Sequence, residues 1–251
     1  MDPAFQKDFL RDFKRGNSSP VLALFGKHPA WNDHMDDFGL TTPSLRTCKR
    51  LLYLQGIAAN AAREQSESPG FGPYRHSLLW VRGREAMLLR LVESEDGRRR
   101  SYFPLVGAFH FDLAGAERSL RVLIPALRSF VDTCRSHSSR EAVRDQHRHT
   151  QDHLRADLRH PPAAEGKVEA PHPDEVEALR SLAGGRSFAT RQVPICRYDH
   201  AESFAALASA WSALPGDRPL LISQGDADTA ITLAAGEPEK GDFWFLRAPR
   251  P

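Results

Sequence analysis

The sequence predicts an α/β fold: a layered α/β/α arrangement in which a mainly antiparallel sheet, a meander, carries flanking helices. Three observations predict it. Apolar runs at 77–81, 85–92 and 102–111 follow one another with short, glycine-containing turns between them. Segments with apolar residues at helical spacing flank that block on both sides. The chain has 251 residues, of which 41% are hydrophobic and 26% charged, an ordinary globular composition with enough apolar material for a full core.

Residues 1–18 form an amphipathic lead segment. Phe5, Phe9, Leu10 and Phe13 recur at helical spacing among Lys, Asp and Arg. Such a helix either docks on this chain's own core or binds a partner. Residues 19–158 form the main α/β domain. It opens with a short buried strand, Val21 to Phe25. After a polar loop, Thr41 or Thr42 can cap a helix and Pro43 suits its first turn. Leu45, Cys48, Leu51, Leu52, Leu54 and Ile57 give that helix one apolar face, to about Arg63. The three meander strands follow. Arg82-Gly83-Arg84 marks the first hairpin, and Glu95-Asp96-Gly97 the second turn. Pro104 lacks a ladder donor, so an edge position or a bulge is expected there. Leu113 to Ser136 is expected to be helical, with Pro125 kinking it or ending its first half.

Residues 137–160 are strongly polar, and a solvated helix is the expectation. His149 and His153 lie four apart and could share a helical face, but the further ligands of a metal site are missing. Residues 159–174 form a Pro/Ala-rich linker. The remainder, 175–251, is a C-terminal α/β extension that can pack on the same core. Its expected elements are a helix from Asp174, strands at 193–198, 219–223, 229–233 and 243–246, and an amphipathic helix over 203–214.

Composition narrows the function classes. The net charge is +2, from 34 basic and 32 acidic residues, so no nucleic acid or membrane surface is called for. No apolar run approaches the ~20 residues of a membrane helix. Residues 1–18 are charged throughout, unlike a signal peptide. Cys48, Cys134 and Cys196 are far apart and not in metal spacing, which fits a reducing cytoplasm. No nucleophile elbow, P-loop or Cys-His pairing is present, so neither a cofactor nor a metal is expected. Asp226 and Asp228 share a turn that could hold a cation, but solvated acids are the commoner outcome. Arg98, Arg99 and Arg100 form a basic turn that could read phosphate, though such runs are more often solvated hairpin tips.

The most informative segment is Phe25-Gly-Lys-His-Pro-Ala-Trp-Asn-Asp-His34, which follows the first strand directly. Gly26 permits unusual backbone angles, and Pro29 stiffens the loop. The loop presents Lys27, His28, Trp31, Asn32 and Asp33 at one strand end. Trp31 is either an interface anchor or a core tryptophan. The loop resembles the opening motif of TagF-like proteins of type VI secretion clusters, through Gly26, Lys27, Pro29, Ala30 and Asp33. Asn32 and His34 depart from that pattern. A second stretch, Ser94, Asp96, Arg100, Tyr102, Phe103, Pro104 and Leu105, is similar to the family's second hallmark, without a glycine directly before Arg100.

The resemblance covers about residues 20–112. It implies a layered α/β/α fold and a non-enzymatic, cytoplasmic accessory protein of a bacterial secretion system. Family members act as post-translational repressors with a forkhead-associated scaffold protein, so the expected partner is that scaffold or another secretion component. The candidate partner-binding residues are Lys27, His28, Trp31, Asn32, Asp33 and Arg100, with a short-range pair expected between Asp33 and Arg100. The rivals are an adaptor in another bacterial signalling system, or an enzyme using Lys27 and Asp33 as acid–base groups.

Overall fold

The computed structural model describes residue 10, residues 19–59, 74–157 and 170–238, and residues 243 and 246, apart from gaps at 102, 114–115, 186, 196–199 and 227. One seven-stranded, wholly antiparallel sheet runs through the described residues. Its strands are β1 Val21–Gly26, β2 Arg75–Arg82, β3 Glu85–Val92, β4 Leu105–Asp112, β5 Ala189–Pro194, β6 Leu220–Gly225 and β7 Ala230–Ala235. Their spatial order is β1-β4-β3-β2-β6-β7-β5. The C-terminal region is therefore continuous with the meander, through the β2–β6 pairing.

Alternation along the strands divides the core into two layers. Leu22, Leu24, Leu79, Leu88, Phe109 and Ile222 face one side. There they meet helices α2 Ala116–Ser136, α3 Arg140–Asp157, α4 Pro173–Ala183 and α5 His200–Ser212. Ala23, Phe25, Leu78, Trp80, Met87, Leu89 and Leu221 face the other side, against helix α1 Pro43–Cys48, its continuation Lys49–Ile57, and Phe243 and Leu246. The α/β/α layering is as expected.

Several local features differ from the sequence expectation. Thr42 caps α1, its Oγ1 accepting from Leu45 N at 3.2 Å, but the helix widens to π geometry over Lys49–Ile57. Bonds from i to i+5 change which residues share a face, and Leu54 is turned out to 53% exposure. Pro104 does not lie in an edge strand. It precedes β4, an interior strand between β1 and β3, so no ladder donor is lost. The second meander connection is not a tight turn: β3 ends at Val92 and β4 begins at Leu105, with a long loop between them. Helix α2 runs unbroken through Pro125. Helix α4 starts at Pro173, with His172 and Glu175 forming a capping box. Phe243 and Leu246 lie in a turn closed by Leu246 N on Phe243 O at 3.2 Å, rather than in a strand.

In the lead segment, Leu10 is buried on the second layer and its N–H donates to Ser44 Oγ at 2.9 Å. Its φ of 58° is left-handed, so no continuous α-helix passes through it. Phe5, Phe9 and Phe13 lie outside the described residues, as does most of the 159–174 linker.

The outer edge of β1 is closed by a backbone bridge from Leu24 to Phe38 and, at Leu22, by side chains of α3. Gln151 Oε1 accepts from Leu22 N at 2.7 Å, its Nε2 donates to Pro20 O at 2.9 Å, and the His147 ring meets Leu22 O at 3.0 Å. Such cover protects an edge strand from pairing with another chain. Helix α2 sits close on β4 because Gly107 has no side chain: a Cβ there would lie 2.4 Å from Val131 Cγ2 and 3.0 Å from Leu127 Cδ1. Gly107→Ala is expected to cost about 1–3 kcal/mol by overpacking, measured by urea unfolding.

Candidate functional site

The register Gly26↔Leu105 forces the loop after β1 against the loop before β4. Gly26 makes that approach possible. Its φ is 122°, and a Cβ would lie 2.3 Å from Pro104 O. Lys27 N donates to Pro104 O at 3.2 Å, Met35 N to Gly26 O at 2.9 Å, and Gly97 N to Trp31 O at 2.6 Å. The two loops that carry the sequence motifs are thus stitched together by backbone bonds.

Inside the stitch lies a cluster of two cations and two carboxylates. Lys27 Nζ is buried and donates to Asp33 Oδ1 at 2.8 Å and to Asp96 Oδ2 at 2.7 Å. Arg100 Nε donates to Asp96 Oδ2 at 2.8 Å, and its Nη2 to Asp33 Oδ1 at 3.2 Å and Asn32 O at 2.8 Å. The expected Asp33–Arg100 pair is present, but Asp96 is the centre of the cluster. Its side chain is 0% exposed, against 71% for Asp33. Asp96 Oδ1 takes the N–H groups of Arg98 at 2.9 Å and Arg100 at 3.1 Å.

Burial alone would push the Asp96 carboxyl up. Hydrogen bonds from Lys27, from the Arg100 and Arg98 N–H groups and from the Arg100 guanidinium outweigh it, so the pKa sits well below the usual carboxylate range. Asp33 is also lowered, chiefly by its hydrogen bond from Lys27. The sequence places Asp96 in the second motif, within a Glu95-Asp96-Gly97 stretch that has the composition of a plain turn. Its spacing of four before Arg100, together with a lysine in need of a counter-charge, is the signal that could have singled it out.

His28 is buried and works from below. Ala30 N donates to His28 Nδ1 at 3.1 Å, so Nδ1 carries the lone pair and the Nε2–H donates to Cys134 O at 2.8 Å. Burial lowers the His28 pKa and keeps this neutral form. Trp31 is a core residue, 4% exposed, with Nε1 on Asp36 Oδ2 at 3.3 Å and the Arg140 guanidinium 5.3 Å over its ring. The interface-anchor reading of Trp31 is therefore corrected: its ring packs against His28 and Phe38, beneath the loop. Lys27 and His28 are likewise supports from within. Asn32, Asp33 and Arg100 are the members of the expected set that are exposed.

Other sequence candidates resolve into structure. Asp226 receives Arg90 in a bidentate pair at 2.6 Å on each oxygen, and Asp228 caps Gly225 N at 2.7 Å. His149 and His153 stack with centroids 3.9 Å apart, and His153 Nδ1 bonds the His149 carbonyl. Cys48 and Cys134 are buried, and burial pushes the Cys134 thiol up to about 12. Among the described residues, no group of three or more His, Cys, Asp or Glu could hold a metal ion. Compared with protein-family models and with curated proteins, the chain matches none.

The cluster predicts an asymmetry between its two acids. Asp96→Asn leaves Lys27 buried with half its charge partners, and should cost about 3 kcal/mol or more. Asp33→Asn touches an exposed, solvent-screened group and should change stability little. Guanidinium denaturation of the two variants compares them.

A second expectation concerns pH. His28, His76 and His147 all have lowered pKa values, with burial the largest cause. The unfolded chain then binds more protons than the folded one, so the stability they carry is full above about pH 6.5 and is lost as pH falls below it. Asp96 contributes in the same direction at lower pH, because its lowered pKa makes stability fall as the carboxylate protonates. Stability should thus start to fall before any carboxylate titrates, and His28→Gln should flatten the slope between about pH 6.5 and 5. Denaturation midpoints across that range check it.

Proposed function

We propose that this chain is a non-enzymatic protein-interaction module, a cytoplasmic, post-translational repressor-like accessory of a type VI secretion system. One observation carries the non-enzymatic part: the charged groups of the loop pair are already saturated by each other. Lys27 holds two carboxylates, and both oxygens of Asp96 are filled by donors. An acid–base catalyst needs a group free to meet substrate with a pKa near the working pH. Asp96 is held ionised and out of reach. What the cluster does offer is a rigid rim, Asn32, Asp33 and Arg100, set on a buried base.

The secretion context is supported by the two loop motifs and by the fact that they meet in space. The partner in this reading is a forkhead-associated scaffold or another secretion component. Among the described residues, no helix is long and apolar enough to cross a membrane.

Deleting the gene in its host should raise release of the secretion system's tube protein into the medium. Wild-type chain supplied in trans should restore the low level, and Asn32→Arg, a change on the exposed rim, should fail to restore it. Unchanged release on deletion would contradict the reading.

A further inference from the structure

Apart from Glu95, the acids of the two loops have partners within the chain. Asp33 and Asp96 hold Lys27 and Arg100, Asp36 accepts from Trp31, and Asp37 pairs with Lys49 at 2.6 Å. Three neighbouring arginines do not pair. Arg98, Arg99 and Arg140 have no ion-pair partner among the described residues, and the uncommitted acids that adjoin them in sequence, Glu95 and Glu141, leave the three guanidinium groups in excess.

The backbone that carries Arg98 and Arg99, and the Arg140 guanidinium itself, are held on fixed supports. The Arg98 and Arg100 N–H groups are pinned on Asp96 Oδ1, and Arg99 N donates to Asp96 O at 2.7 Å. The clamp holds Arg99 at a φ of 59°, a left-handed conformation that costs a non-glycine residue stability. Glycine would fit there without strain, yet an arginine occupies the position with its side chain exposed. Arg140 is fixed by its stack on Trp31 and by Nε on Ala30 O at 3.1 Å. Ala30 and Trp31 belong to the loop that receives Gly97, so Arg140 and the arginine tip share one support.

We propose that Arg98, Arg99 and Arg140 form the recognition face of this module and that it takes an acidic, carboxylate-rich segment of a protein partner. The inference rests on the interaction-module reading above. Guanidinium forks bind carboxylates through paired, charge-assisted bonds, and fixing the backbone beneath Arg98 and Arg99 and the Arg140 guanidinium itself reduces the ordering cost on association. The backbone N–H groups of the tip are already filled by Asp96, so the side chains must do the recognition.

The test is fluorescence anisotropy of the full chain with a labelled glutamate-rich peptide of about ten residues, long enough to span the tip. Binding should weaken about tenfold or more in Arg99→Gly and in Arg98→Ala/Arg140→Ala, the loss expected for paired charge-assisted bonds. Arg99→Gly should at the same time melt at an equal or higher temperature than wild type, because it relieves the left-handed strain. A residue kept only for folding would not show that combination. Arg144→Ala/Arg148→Ala, on the exposed face of α3, should leave binding unchanged. Equal loss in this control would reduce the effect to general charge and overturn the proposal, as would no binding by wild type. Preference of about tenfold or more for a matched phosphothreonine peptide would overturn the carboxylate assignment. If tube-protein release responds to gene deletion while the glutamate peptide does not bind, the recognition face fails and the interaction module stands. If release does not respond but the peptide binds through these arginines, the secretion context fails instead.

Discussion

The contact between Lys27 and Asp96 is the constraint on which the rest of this end of the molecule depends. Both side chains are removed from water, and neither could remain there alone without a large desolvation penalty. Each therefore fixes the other, and each is anchored on a different loop. Lys27 follows directly from β1, and Asp96 organises the turn that leads into β4. Once they meet, the Asp96 carboxylate gathers the N–H groups of Arg98 and Arg100, and Arg100 reaches back to Asn32 and Asp33. The exposed rim and the arginine tip are consequences of that buried pair.

The sheet makes the meeting unavoidable. Antiparallel pairing of β1 with β4 places the end of one strand beside the start of the other, and Gly26 lets the chains approach where any side chain would collide with Pro104. Helix α2 then holds the two halves of the sheet together by charge as well as by packing. Arg121, Arg128 and Arg135 recur every seven residues and so share one helical stripe. They face Glu202 at 2.9 Å, Asp226 at 4.0 Å and Glu93 at 3.9 Å, acids on α5, on the loop after β6 and just beyond β3. The same helix supplies the Cys134 carbonyl that orients His28 beneath the Lys27 loop. Fold and site share this one element.

The sequence made much of this legible where the signal is local. Alternation and the Arg82-Gly83-Arg84 turn exposed the meander, the Thr42-Pro43 pair marked the start of α1, and the paired polarity of the two loops announced that Asp33 and Arg100 would meet. Contacts set by tertiary structure were not legible. Nothing in the neighbourhood of Trp31 separates a tryptophan displayed on a loop from one tucked under it, because Arg140, which covers its ring, comes from a helix more than a hundred residues further along the chain. Asp96 was hidden by its resemblance to a turn residue. The widening of α1 to π geometry has no local marker, and it moved Leu54 off the face that helical spacing assigned to it. The β2–β6 pairing joins residues far apart in sequence, so the continuity of the C-terminal strands with the meander could be left open but not decided.

A double-mutant cycle between Lys27→Met and Asp96→Asn, read by chemical denaturation, tests the central claim most directly. If the buried pair organises the two loops, the double variant will be less destabilised than the sum of the single ones, with a coupling of about 2 kcal/mol or more. Additivity within about 0.5 kcal/mol would mean that the two side chains are held independently, and the account of the loops would fail.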